Sequence, residues 1–329
     1  MEVHLAGNFP SGFKEIVGKV YASTPAELEN HLDYNDKYLI AVQIFLAGGV
    51  TGNLNAFWKE YMNIYLAGCY SRENCLTQAM QKFLSKTGEV AKESLQAREW
   101  QGISILETFY YLQNNSTFPK MIKDFGSFLL DSGAFTFMSN TGSMVDFDKY
   151  VEDYAAFINK WNVERFFELD IDSVVGLKEV ERLRDKLERL TGKQPIPVWH
   201  RTRGKEYFLK MCDAYPYVAL GGIVTKEIPI MKYETLFPWF IQQAHKRGAK
   251  IHGLGYTNLK GLHKYHFDSV DSTAWLYGNR GGFVYRFNAK EGLMEKTSVP
   301  QGMKMKSKEA AVYNFNEWVR FQKYARVSL

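Results

Sequence analysis

Short apolar runs that end in small or acidic residues, each followed by an amphipathic segment, recur along this chain and narrow its fold more than any other feature. Six such runs are Tyr38–Ala47, Ile103–Leu112, Ser127–Asp131, Arg165–Leu169, Pro195–Trp199 and Tyr215–Leu220, and the stretch Lys250–Trp275 holds two more. Runs of this length bounded by glycines and polar turns suit buried parallel strands. Strand–helix alternation repeated in this way predicts an α/β fold, a (β/α)8 TIM-like barrel. Val3–Ala6 is a further strand candidate, so the register of the N-terminal part stays open. Helices are expected over Asn53 to about Lys86, with Ser71 as a cap, and over Asp146–Trp161. Two more are expected over Leu177–Leu190, closed by Gly192, and near Tyr233–Arg247. Phe283–Ser298 alternates as a hairpin does, and Lys306–Val327 presents Ala311, Phe315, Trp318, Val319 and Tyr324 on one helical face. The expectation is one barrel domain over 1–329, with an N-terminal extension (1–102) and a C-terminal hairpin plus helix within 276–329.

Composition excludes several classes. No run approaches the roughly 20 apolar residues that a membrane helix needs, and MEVHLAGNFPSG lacks the regions of a signal peptide. Cys69, Cys75 and Cys212 are too few and scattered for a disulfide framework, which predicts reduced thiols and a cytoplasmic location. No G-x-G-x-x-G or P-loop is present, so no nucleotide cofactor is expected. The absence of an H-x-H pair, a nucleophile elbow and a C-x-x-x-C-x-x-C cluster lowers metal-hydrolase, serine-hydrolase and radical readings, and no metal is expected. A net charge of +5 is compatible with a polyanionic partner.

Chemistry concentrates at the strand ends. In a parallel α/β fold a carboxylate at the C-terminal end of a strand is where reactions are usually carried out. Asp131, Asp170 with Asp172, and Asp268 with Asp271 all follow apolar runs. Two carboxylates flanking a glycosidic carbon can divide the work, one attacking C1′ and the other moving a proton. The competing explanation is that each caps the next helix. His200 stands beside Arg201 and Arg203, and Gly221-Gly222 permits close backbone approach to a flat ligand.

In their order, these motifs resemble the tRNA-guanine transglycosylase superfamily, whose (β/α)8 barrel exchanges guanine for a 7-deazaguanine. Asp131-Ser132-Gly133-Ala134-Phe135-Thr136 resembles the family's D-S-G-G-[FY]-Q loop, and Gly221-Gly222-Ile223 its base-binding glycine pair. His252-Gly253-Leu254-Gly255 is similar to its M-G-x-G strand end, and FDSVDS to its nucleophile strand; the likeness covers roughly Ser127 to Trp275. It implies Asp131 as general acid/base and Asp271 or Asp268 as the nucleophile, with Asp271 preferred on its distance from the G-x-G loop. Asp170 or Asp172 would bind the guanine edge, Asp170 preferred. Ser132, Gly133, His200, Gly221, Gly222, Ile223, His252 and Gly253 would line the substrate. Arg201, Arg203, Lys205 and Arg280 are the cations expected near phosphates.

Departures from the family pattern point to a branch. No cysteine follows Cys212, so the zinc site of the bacterial tRNA enzymes is missing, and Ala134 and Thr136 replace loop residues. A short, zinc-free chain with a V-D-S-T-x-W ending looks like the phage-type enzymes that place 7-deazaguanines in DNA. The implied partners are DNA and a base such as 7-cyano-7-deazaguanine, in the host cytoplasm if phage-encoded. Alternatives are the same exchange on tRNA (queuine or archaeosine type), a non-catalytic nucleic-acid-binding barrel, and a glycoside hydrolase.

Overall fold

The computed structural model describes residues 62–79, 102–133, 136, 146–256, 258–276, 283–298 and 306–329. The expected strands Val3–Ala6 and Tyr38–Ala47 lie outside these residues, as does Arg280.

Eight parallel strands form one curled, TIM-barrel-like sheet. They are β1 (Asn63–Ala67), β2 (Ser104–Thr108), β3 (Ser127–Asp131), β4 (Arg165–Phe166), β5 (Val198–Trp199), β6 (Tyr217–Leu220), β7 (Lys250–Gly253) and β8 (Ser269–Ser272). Their order is β4-β3-β2-β1-β8-β7-β6-β5. The two ends of this order touch through a parallel bridge between Phe167 and Ile196, where Ile196 N donates to Phe166 O at 2.8 Å and Glu168 N to Ile196 O at 3.1 Å.

Side chains alternate across each strand, as the pleat requires. Tyr65, Ala67, Leu106, Leu129, Phe167, Ile196, Val198 and Ala219 fill the inside of the curl. Ile64, Leu66, Ile105, Leu130, Val218, Leu220, Ile251 and Val270 face the helices. With both faces buried, the strands read as continuous apolar runs.

The helices are α1 (residues 73–79), α2 (Phe109–Leu112), α3 (Phe147–Trp161), α4 (Asp172–Val175), α5 (Leu177–Thr191), α6 (Gly204–Ala214), α7 (Tyr233–Lys246), α8 (Leu259–Leu262) and α9 (Ser307–Ser328). Asp146 caps α3, its side chain accepting from Lys149 N at 3.0 Å, and Tyr150, Val151, Tyr154, Ala155, Phe157 and Ile158 form its buried stripe. Val180, Leu183 and Leu187 do the same for α5; burial of each large aliphatic side chain is worth roughly 1.5–3 kcal/mol of transfer. None of the helices among the described residues is long and apolar enough to cross a membrane.

Three expectations need correction. Asn63–Ala67 is the first strand of the sheet rather than part of a helix, because a five-residue run buried on both faces shows neither helical nor alternating periodicity. Ile103–Leu112 divides into β2 and the single-turn helix α2. Ser71 is not a helix cap: it lies inside a 3₁₀ turn, Cys69–Arg72, that leads into α1.

The C-terminal hairpin, β9 (Phe283–Asn288) with β10 (Leu293–Ser298), is antiparallel and stands between β8 and α9. Asn314 and Glu317 of α9 accept from Tyr285 N (2.8 Å) and Phe287 N (2.6 Å), which pins the hairpin to the helix. The same helix packs on β1. Its buried Gln322 donates to Ile64 O (2.5 Å) and Ser104 O (2.8 Å) and accepts from Ser104 N (3.0 Å), completing the β1–β2 ladder with a side chain.

Candidate active site

Because the strands are parallel, their C-terminal ends form one mouth. Asp131 closes β3 and Asp271 lies near the end of β8, both in the inward-facing phase of their strands. Thr108, the register partner of Asp131 on β2, donates its hydroxyl to Oδ2 at 3.4 Å, and Gly133 N donates to Oδ1 at 3.4 Å. Gly133 needs its positive φ of 68° for this turn, and a Cβ there would strike Thr108 and Tyr110. Behind the turn, Tyr150 donates to Ser132 O at 2.6 Å, and Tyr154 to Leu130 O and Phe167 O at 3.1 Å each. Ser132 is thereby buried in the wall, its carbonyl taken by α3.

Burial, reinforced by the charges of Asp170 and Asp271, raises Asp131 from the ordinary 3.8 to about 6. That value suits a group that must both give and take a proton near neutrality. It has a stability consequence. A folded-state pKa above the unfolded one contributes stability that is full below pH 3.8 and lost as pH rises through 6. Asp131→Asn is therefore expected to stabilise the fold at pH 8 by about 1–2 kcal/mol, discounted because the residue keeps some exposure to the mouth. The gain should vanish below pH 4; thermal unfolding at the two pH values measures it, and an equal gain at both would contradict the assignment.

Asp271 is held from beneath. Its Oδ1 accepts from Gly255 N at 2.5 Å and lies 3.2 Å from His252 Nε2. Gly255 presents its N–H with φ +70°, and a Cβ at that position would collide with Val224. His252 is fully buried between Tyr65 and Phe167, and its Nδ1 lies 2.5 Å from Ser269 Oγ, which in turn meets Tyr217 OH. The expectation that His252 lines the substrate is corrected: it supports Asp271 from the interior. Ser269, His252 and Asp271 together carry the residue types of an acyl-transfer triad. Ser269 is only 1% exposed at the closed end of that chain, so the member facing the mouth is the aspartate, not the serine.

Asp268 does not join this group. It immediately precedes β8, at the opposite end of the strand from the mouth, and its Oδ2 lies 2.9 Å from His245 Nε2 of α7 and accepts from Ile251 N at 2.8 Å. Three residues apart on an extended strand, Asp268 and Asp271 face opposite sides.

Asp170 does reach the mouth. It lies 2.6 Å from His200 Nε2 in a charge contact that lacks hydrogen-bond alignment, while Glu227 Oε1 stands 3.0 Å from Nδ1. Burial pulls the His200 pKa down, but the two carboxylates outweigh it and raise it to about 9. The ring is an imidazolium at neutral pH with each nitrogen facing a carboxylate, so it holds Asp170 by charge rather than reaching for a base. Gly221 makes room for it, since a Cβ there would lie 2.8 Å from Nε2. Gly222 follows in the left-handed region, Ile223 is buried behind it, and Gly253 ends the neighbouring strand.

Asp172 and Arg203 leave the expected roles. Arg203 grips Asp172 through Nε (2.5 Å) and Nη2 (2.6 Å), and its Nη1 lies 2.9 Å from Glu168, which also meets Arg184 at 3.0 Å. Both the Arg203 and Glu168 side chains are fully buried, so Arg203 is not available to a phosphate nor Asp172 to a base. Lys205 lays its ammonium over Trp239 at 4.9 Å on the helical layer. Arg201 is exposed, with its N–H on Glu227 at 3.2 Å.

Sequence reasoning missed Thr108, Glu227, Gly255 and Glu107. Glu107 is buried, accepts from Tyr70 N at 2.9 Å and is raised by burial to about 8. Thr108 was accessible through strand register and Gly255 through its place in H-G-L-G; Glu227 and Glu107 make loop contacts that no periodicity announces. Among the described residues no group of three His, Cys, Asp or Glu is arranged to hold a metal ion. Compared with known families and with curated proteins, the chain matches none.

Proposed function

We propose that this protein is a pentosyltransferase that replaces guanine in DNA with a 7-deazaguanine derivative through a covalent aspartyl-glycosyl intermediate. The observation that carries this reading is the pairing of two unlike carboxylates at one mouth: Asp131, raised to about 6, and Asp271, anchored through a single oxygen. Unequal carboxylates flanking a reacting carbon are what a double displacement at C1′ requires.

Both contacts on Asp271 fall on Oδ1, so Oδ2 is the attacking atom in this scheme. As the Oδ2–C1′ bond forms, the C1′–N9 bond breaks, its electron pair leaves with guanine, and protonated Asp131 supplies the proton. The incoming 7-deazaguanine then gives its N9 proton to the Asp131 carboxylate while N9 attacks C1′ and expels Asp271. Two inversions retain the configuration. Asp170, held by His200, accepts hydrogen bonds from the N–H edge of the base, and the backbone at Gly222 and Ile223 borders it. No cofactor enters the scheme. The touching ends of the sheet, at Phe167 and Ile196, support a closed (β/α)8 barrel as its frame.

Incubation of the protein with guanine-containing duplex DNA, single-stranded DNA or tRNA, plus 7-cyano-7-deazaguanine, followed by nucleoside mass spectrometry, tests the reading. Incorporation into DNA is expected. No incorporation into any polymer would refute base exchange, and incorporation into tRNA alone would move the activity to the RNA substrate.

A further inference from the structure

The loop between β6 and α7 contains side chains that the exchange chemistry does not use. Its first half is tied to the candidate site: Ile228 N donates to Gly222 O at 3.1 Å, Ile228 is buried, and Glu227 engages His200 and Arg201 N. Just beyond its second half, Tyr233 stacks on Phe237 at 4.3 Å and meets Tyr256 edge-on at 5.8 Å. Between these anchors, Pro229 leads into the 3₁₀ turn Ile230–Lys232, where Ile230 is 70% and Met231 83% exposed. Two consecutive apolar side chains thus project from a backbone fixed on both sides. Val224 of the same loop lies against Gly255, whose N–H holds Asp271, so the loop borders the candidate nucleophile.

The charges around this pair specify what covers it. Lys226 and Lys232 flank it, both are exposed, and neither forms an ion pair among the described residues. Cations on either side favour a phosphate backbone, and an apolar pair between them fits the faces of unstacked bases. Apolar side chains inserted at a base step are a recurrent device for prising nucleic-acid stacks apart. An enzyme acting on a base in a duplex must first move that base out of the stack.

We propose that Ile230 and Met231 form a wedge that enters duplex DNA beside the target guanine and fills the gap left as that base swings into the mouth. The wedge rests on the base-exchange reading for its location and deepens it by selecting duplex DNA over tRNA, since a base already looped out leaves no stacked gap.

The test compares wild type with an Ile230→Ser/Met231→Ser variant shown by thermal unfolding to keep its fold. Exchange of 7-cyano-7-deazaguanine is measured on the same guanine in duplex and in single-stranded DNA, and on tRNA. The variant is expected to lose roughly tenfold or more on the duplex, where unstacking must be driven, and less than about twofold on the single strand. Equal losses on both DNA forms, an unchanged duplex rate, or exchange confined to tRNA would overturn the wedge. If wild type exchanges no base in any polymer, the base-exchange reading fails by itself, and 2-aminopurine in a duplex decides the wedge. Fluorescence that rises with wild type but not with the variant supports it; no rise with wild type overturns it.

Discussion

Asp271→Asn is expected to abolish exchange, by roughly 10⁴-fold or more as for other removed nucleophiles, and to eliminate any DNA–protein adduct trapped under denaturing conditions. The amide preserves the Oδ1 acceptor that meets Gly255 N, so thermal stability should change little and the loss can be assigned to chemistry. The informative control is Asp268→Asn. That aspartate precedes β8 at the far end from the mouth and pairs with His245 on the outer layer. Its replacement should leave exchange within about threefold, the usual range for a surface change of about half a kcal/mol. Retained exchange in Asp271→Asn, or its loss in Asp268→Asn with the fold intact, would reverse the assignment of the nucleophile.

Arg203→Met is expected to destabilise the fold by about 3–5 kcal/mol, the usual effect of removing one partner from a buried charge cluster. The cluster sits where the sheet is thinnest, with β4 and β5 only two residues long. There Glu168 accepts from Val198 N at 2.7 Å, so a carboxylate stands in for a backbone carbonyl across the seam. Arg203 and Arg184 neutralise that buried charge. Without Arg203, Glu168 keeps only Arg184 as counter-ion and Asp172 loses its guanidinium partner, so the seam should open first. Hydrogen exchange should show early loss of protection at Ile196 and Val198, with β1, β2 and β8 protected longer. If Arg203 instead served DNA, its replacement would weaken binding and flatten the salt dependence while stability stayed constant.

Much of the frame could be read from patterns whose cause is local. The helices α3 and α5 follow from apolar spacing, the Asp146 cap and Gly192, and the hairpin follows from alternation. The strand β1 was hidden because burial on both faces erases periodicity. At the site, the acidic strand ends were visible, but their partners were not. Motif letters fitted Asp268 and Asp271 alike and the distance from the G-x-G loop favoured Asp271; the pleat gives the physical separation, since Ser269 and Asp271 share the inner face, while Val270 faces the helices and Asp268 pairs with α7. Arg203 looked like a surface cation beside a histidine. Its burial depends on Glu168, just after β4, and Asp172, the first residue of α4, both distant from Arg203 in sequence. Contacts of that kind are set by three-dimensional closure, which a single sequence does not encode locally.

The placement of α9 also dictates the order in which the molecule can be finished. Gln322 bonds the backbone of Ile64, 258 residues earlier, and Arg326 reaches Gly102 O at 2.7 Å. Contacts between such distant residues form late, because a long loop must close before they return any stabilisation. During synthesis, β1 therefore waits with its outer face bare until nearly the last turn of helix has emerged. A chain stopped before Ser307 would keep all eight strands of the parallel sheet yet leave the Ile64 and Ser104 carbonyls without their amide partner. Such a product is expected to associate through the uncovered apolar face of β1 rather than persist as a smaller folded protein.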